Sequence, residues 1–75
     1  MAWYRTVDET VESLLEVFPK KTKAVTDRFL NGFIRSHYFR EGKNDELIAD
    51  CGTDSLNKAC KVILKEFKKI FARKK

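Results

Sequence analysis

The last third of the chain carries the pattern that most limits what it can fold into. Leu56, Cys60, Ile63, Leu64, Phe67, Ile70 and Phe71 recur at the three- and four-residue spacing that gathers side chains on one face of an α-helix. Lys58, Lys61, Lys65, Lys68 and Lys69 fall on the opposite face. A helix over 54–73 is therefore expected, with Thr53 or Asp54 as its N-cap. Arg73, Lys74 and Lys75 follow where the helix dipole favours cations. A helix with one apolar side must lay that side on something, so the remaining residues have to supply matching faces.

Two further stretches do so. Thr6-Val7-Asp8-Glu9 reads as a capping box that starts a helix at Val7, with Thr6 accepting from the third helical N–H and Glu9 reaching back. Val7, Val11, Leu14, Leu15 and Phe18 form its apolar stripe, Glu9, Glu12 and Glu16 fall opposite, and Pro19 disfavours helical geometry at Phe18, giving a helix over 7–18. A second helix is expected over 20–38, opening at Pro19 or Thr22, with Val25, Phe29, Leu30, Phe33 and Ile34 on one face and Arg28, Asn31 and Arg35 on another; Gly32 weakens it slightly. His37-Tyr38-Phe39 is poor helix material, so a β-hairpin pairing 33–39 with 47–51 around 40–44 competes with the end of this helix. Asn44 is placed to cap a short helix over 45–50, and Gly52 to stop it from the C′ position, where positive φ costs glycine little.

Seventy-five residues suffice for a single helical domain over 1–75 and not for two. With 43% apolar residues, the chain is too hydrophobic for a disordered tail although 36% of it is charged. A core this small seldom supplies more than about 3 to 5 kcal/mol without further help, which makes self-association the default expectation. Met1-Ala2-Trp3-Tyr4-Arg5 opens no signal-like apolar run and no stretch approaches the length of a bilayer span, so an intracellular, cytoplasmic protein is expected. Its two cysteines, Cys51 and Cys60, are read as free thiols. The net charge of +5 is unevenly spread, at −3 over 1–18, +5 over 19–44, −4 over 45–57 and +7 over 58–75. Such striping steers acidic partners, or holds unlike segments together within one fold or across a dimer.

Candidate sites follow from that charge. A basic amphipathic helix neutralises phosphates, lies on an anionic membrane or meets an acidic protein groove; its lysines are equally the ordinary solvated face of a core helix. Membrane binding is not expected, because the apolar stripe is needed for the core. Were nucleic acid the target, the phosphate contacts would come from Arg28, Arg35, Lys58, Lys61, Lys65, Lys68, Lys69 and Arg73. Tyr38 and Phe39 beside Arg35 and Arg40 are the aromatic and basic groups that would stack single-stranded bases.

The segment from Glu46 to Leu56 resembles a helix-turn-helix, with Ala49 in its first helix and Gly52 at the turn. With Gly52 as the turn glycine, Lys58 and Lys61 stand where apolar residues belong. With Ala49 as the packing alanine, Ala59 and Val62 fit and Gly52 leaves the turn. Acidic Asp45, Glu46, Asp50 and Asp54 would oppose phosphates there. The run Gly52-Thr53-Asp54-Ser55-Leu56 resembles the Asp-Ser-Leu signature of acyl carrier proteins, which implies a phosphopantetheine arm on Ser55. The likeness spans only 48–57, and the lysines that follow replace the acidic helix of that family.

His37, Cys51 and Cys60 lack the spacing of a structural zinc site, so no metal or other cofactor is expected; Cys60 reads as a small buried hydrophobe and His37 as a cap on helix carbonyls. Glu9, Glu12 and Glu16 read as a solvated face, and Gly32, Gly42 and Gly52 stand alone rather than in a phosphate loop. Trp3 and Tyr4 either fold back over the core or anchor a partner. The expectation is an all-α bundle of three main helices plus a short fourth, with Phe18, Phe29, Phe33, Phe67 and Phe71 meeting at its centre. Functionally it reads as a non-enzymatic protein-interaction or adaptor module, a regulator or inhibitor or a homodimer, with nucleic-acid binding as the alternative and a carrier modified at Ser55 as a minor one.

Overall fold

A computed structural model describes residues 4–20, 25–39 and 44–73. They form four helices: α1 (Val7–Val17), α2 (Asp27–Tyr38), α3 (Asp45–Asp50) and α4 (Leu56–Arg73). No strand occurs among the described residues, so the hairpin alternative fails: 33–38 and 47–50 are helical. The expectations for Trp3, Arg40, Gly42, Lys74 and Lys75 lie outside the described residues. A radius of gyration of 11.6 Å is close to the value of about 11 Å for a folded chain of this length.

Each helix begins on a side-chain cap. Thr6 Oγ1 accepts from Glu9 N at 3.2 Å, and Glu9 Oε1 reaches back to take the Thr6 hydroxyl proton at 3.0 Å instead of the Thr6 backbone N–H. The Val7 N–H, another orphan donor of the first turn, donates to Asp50 Oδ2 at 2.8 Å. The second helix starts seven residues later than the expected 20, because Thr26 caps it, accepting from Phe29 N at 3.1 Å, and Val25 and Thr26 are not helical. The last begins at Leu56 with Ser55 as its cap, its Oγ accepting from Lys58 N at 3.4 Å; Thr53 instead accepts from Ser55 N at 3.1 Å. Between α3 and α4, Gly52 takes φ +77° at C′, with Gly52 N donating to Ala49 O and Thr53 N to Ile48 O, the paired bonds of a Schellman turn.

Asn44 holds three segments together. Its φ of 117° turns the chain into α3, its Oδ1 accepts from Leu47 N at 3.4 Å, and its Nδ2 donates to Tyr4 O at 2.7 Å and Tyr38 O at 3.1 Å. The residue is 3% exposed, so these bonds replace water for the groups involved.

The core is built on α4, which packs against α1, α2 and α3 through Ala59, Cys60, Ile63 and Phe67. Val11 and Leu14 come from α1, Leu30, Ile34 and Tyr38 from α2, Leu47 and Ile48 from α3. Only Phe67 of the five phenylalanines expected at the centre is fully buried. Phe18, Phe33 and Phe71 pack at its margin, and Phe29 is 51% exposed. The reason is a rotation of α2: two apolar rows run along it, Leu30-Ile34-Tyr38 and Phe29-Phe33-His37, and the first faces inward. Phe39, absent from the expected core, is buried. Tyr4 folds back, its ring edge-on to Tyr38 at 5.5 Å.

Candidate functional site

The geometry of α2 against α4 gathers part of the expected basic set. Arg35 Nη1 donates to Asn57 Oδ1 at 3.0 Å and Lys68 Nζ to Asp27 Oδ2 at 2.8 Å, so the two helices lie side by side in opposite directions. Lys61, Lys65 and Lys68, one row of α4, line with Leu64 a shallow groove of about 210 Å³. Lys58 extends that row by one turn, and Arg28 shares the flank of Arg35, seven residues on. All of these are exposed. Lys69 and Arg73, also exposed, do not line the groove. Asn31 sits on the α4 side of α2 with its Oδ1 buried and unmatched by any donor.

A second groove has an acidic edge. Asp8 and Glu12 edge a groove of about 330 Å³ between α1 and α4, floored by Val11, Leu15 and Ile70. Between described residues the ion pairs Lys68–Asp27 at 2.8 Å and Arg5–Glu46 at 3.6 Å are both exposed, and exposed pairs of this kind contribute at most about 1 kcal/mol.

Burial corrects two sequence expectations, the stacking rings and the helix-turn-helix alanine. Tyr38 and Phe39 are buried and offer no ring for base stacking. Ala49 is exposed, so it is not the packing alanine of a helix-turn-helix. Among the described residues His37 caps no carbonyl; its ring stacks on Phe33 at 4.7 Å with 15° between planes. Ser55 is half-buried, and its Oγ accepts from Lys58 N at the start of α4. Cys60 is buried, as its place on the stripe predicts, and desolvation pushes its thiol pKa up. Cys51, donating to Ala59 O at 3.7 Å, is pushed up to about 11, by desolvation first and then by Asp50 and Cys60. Among the described residues no three His, Cys, Asp or Glu side chains gather as a metal site, and no helix is long and apolar enough to cross a membrane.

A surface overlooked in the sequence is aromatic. Phe18, at the end of α1, meets Phe29 and Phe33 of α2 edge-on at 5.9 and 5.1 Å, and His37 extends the row. Val17 beside it is 48% exposed, and it and Phe29 are the large hydrophobics left most open among the described residues. The available signal was an excess: α2 carries two apolar rows where a single buried face needs one. No protein-family model matches the chain, and neither a curated protein nor a solved structure matches it at a significant level.

Proposed function

We propose that this chain is a non-enzymatic protein-interaction module whose docking surface is the aromatic patch of Val17, Phe18, Phe29 and Phe33. The observation that carries the reading is Phe29, a phenylalanine half open to water in a chain short of core. Exposed apolar groups clustered between polar rims mark association surfaces more often than scattered single ones do. A cytoplasmic setting goes with it, since Cys51 and Cys60 are both free thiols. The test compares the wild-type chain with Phe29→Asp on an affinity support: a protein retained by the first, resistant to added salt and lost by the second, supports the reading. Equal retention on both, together with unchanged self-association, refutes it.

A second reading has its own observation, the Lys58, Lys61, Lys65, Lys68 row with Arg28 and Arg35 along the α2/α4 seam. There it binds nucleic-acid phosphates, in a nucleoid or nuclear setting. Binding of labelled duplex or single strands that falls steeply with salt and is weakened by Lys61→Glu with Lys65→Glu supports it; no binding at low salt removes it.

A further inference from the structure

The outer face of α4 carries cations at a regular pitch. Lys58, Lys61, Lys65 and Lys68 follow one another at three, four and three positions, so they rise along the axis by about 4.5 to 6 Å each and span about 15 Å in a row. All four are exposed. Lys68 also meets Asp27 at 2.8 Å, an exposed pair that a competing anion displaces at a cost of at most about 1 kcal/mol. A polymer with one charge at every step meets such a row at several points together, whereas an acidic protein surface has no such repeat. One strand of a duplex carries a phosphate about every 3.4 Å of its axis, so the row lies beside about four of them.

The neighbours of the row narrow the ligand. Val17 and Phe29, the exposed large hydrophobics among the described residues, belong to α1 and α2, so a bilayer touching the row gains no inserted side chain from α4. A single strand needs rings on which bases stack. Of the aromatic residues in α4, Phe67 is buried and Phe71 packs at the core margin, while Phe29 and Phe33 turn toward Phe18 of α1. Base reading lacks its tools as well. Asn57, the one amide fork in α4, has its Oδ1 engaged by Arg35 Nη1 at 3.0 Å, which removes the acceptor that adenine recognition uses. The lysine ends are point charges suited to phosphates.

We propose that the row from Lys58 to Lys68 binds the phosphate backbone of a nucleic-acid duplex along one strand, about four phosphates at a time, without reading its sequence. The proposal rests on the nucleic-acid reading of the α2/α4 seam, and names the form of nucleic acid and the manner of its recognition. The aromatic patch, on the other flank of α2, is left free.

The test titrates the full chain against labelled duplex DNA of two compositions, duplex RNA, and the same DNA as a single strand. Affinity for the duplexes falls about 150-fold between about 50 and about 200 mM salt, as about four phosphate contacts require. A·T-rich and G·C-rich DNA bind within about three-fold of each other, and the single strand binds at least about ten-fold more weakly. Preference for DNA or for RNA assigns the backbone, and either supports the row. Lys61→Ala or Lys65→Ala alone leaves a salt effect of about 40-fold, whereas Lys69→Ala, off the row, leaves it at about 150-fold. Alanine favours the helix, so altered binding is not lost fold; circular dichroism checks this directly. A salt effect reduced equally by Lys69→Ala shows bulk charge instead of a row and overturns the proposal. So does a preference between the two DNA compositions above about ten-fold, or a single strand bound as tightly as the duplex. Those results leave the nucleic-acid reading of the seam standing. No duplex binding at low salt overturns both, and a chain that pellets with phosphatidylserine vesicles in its place names a bilayer as the ligand.

Discussion

Replacing Asn44 by Asp changes one group, the amide NH2, for an oxygen of nearly the same size. The backbone φ of 117° remains accessible, since aspartate and asparagine both enter the left-handed region. The bond accepted from Leu47 N also survives. What is lost is the pair of donations to Tyr4 O and Tyr38 O, and in their place a carboxylate oxygen faces two carbonyl oxygens in a site 3% exposed. Each carbonyl left without a donor costs about 1 to 3 kcal/mol, so the substitution removes about 2 to 6 kcal/mol. A chain of this length has in all about 4 to 11 kcal/mol to lose. The penalty depends on pH. Burial among acceptors raises the folded pKa of the new carboxyl above the unfolded value of about 3.9, so its protonated form, which donates, is the tolerated one. Stability of the variant is therefore best below the unfolded pKa and is lost as pH rises through the folded one. Urea unfolding followed by circular dichroism, at acid and at neutral pH, measures both effects. A loss under about 0.5 kcal/mol at neutral pH, or a variant relatively weaker in acid, refutes the reasoning.

Three other outcomes are expected. Thr26→Ala removes the cap of α2 and costs about 1 kcal/mol in urea unfolding, whereas the same change at Thr22 does not cost that cap. Asn31→Leu raises the unfolding midpoint by about 1 kcal/mol of stability, because it removes a buried acceptor that has no donor; a lower midpoint counts against the seam as described. The Cys51 thiol, raised from 9.0 to about 11, favours the folded state fully below its unfolded value and progressively less as pH climbs from 9.0 toward 11. Alkaline unfolding of Cys51→Ala is accordingly less steep over that window, and maleimide labelling of Cys51 in the native wild type is slow at pH near 8.

The parts of the fold legible in advance were those with local causes. The Thr6 cap, the stop at Pro19, the Asn44 cap and the Gly52 turn each depend on residues within one helical turn, and all were read from the sequence. So was the inward face of α4, where a single apolar row leaves no choice. In α2 two rows compete, and only tertiary packing decides that Ile34 faces in and Phe29 out. Periodicity carries no phase when both phases are apolar. The start of α2 was misplaced because Thr22 and Thr26 are equivalent as caps, and the choice depends on where Leu30 must lie. The basic seam was legible as residues, but its pairing across two helices was not.

The contact between the Val7 N–H and Asp50 spans 43 positions of chain. The first turn of α1 is thus finished by a side chain made much later, and the newborn polypeptide emerges from the ribosome with that donor still hydrated. Loop closure over such a span is entropically costly and slow relative to helix growth. Docking of α1 accordingly waits for α3 to supply this bond and for α4 to supply its packing surface, and the amide of Val7 reports, by its exchange with deuterium, when that half is in place.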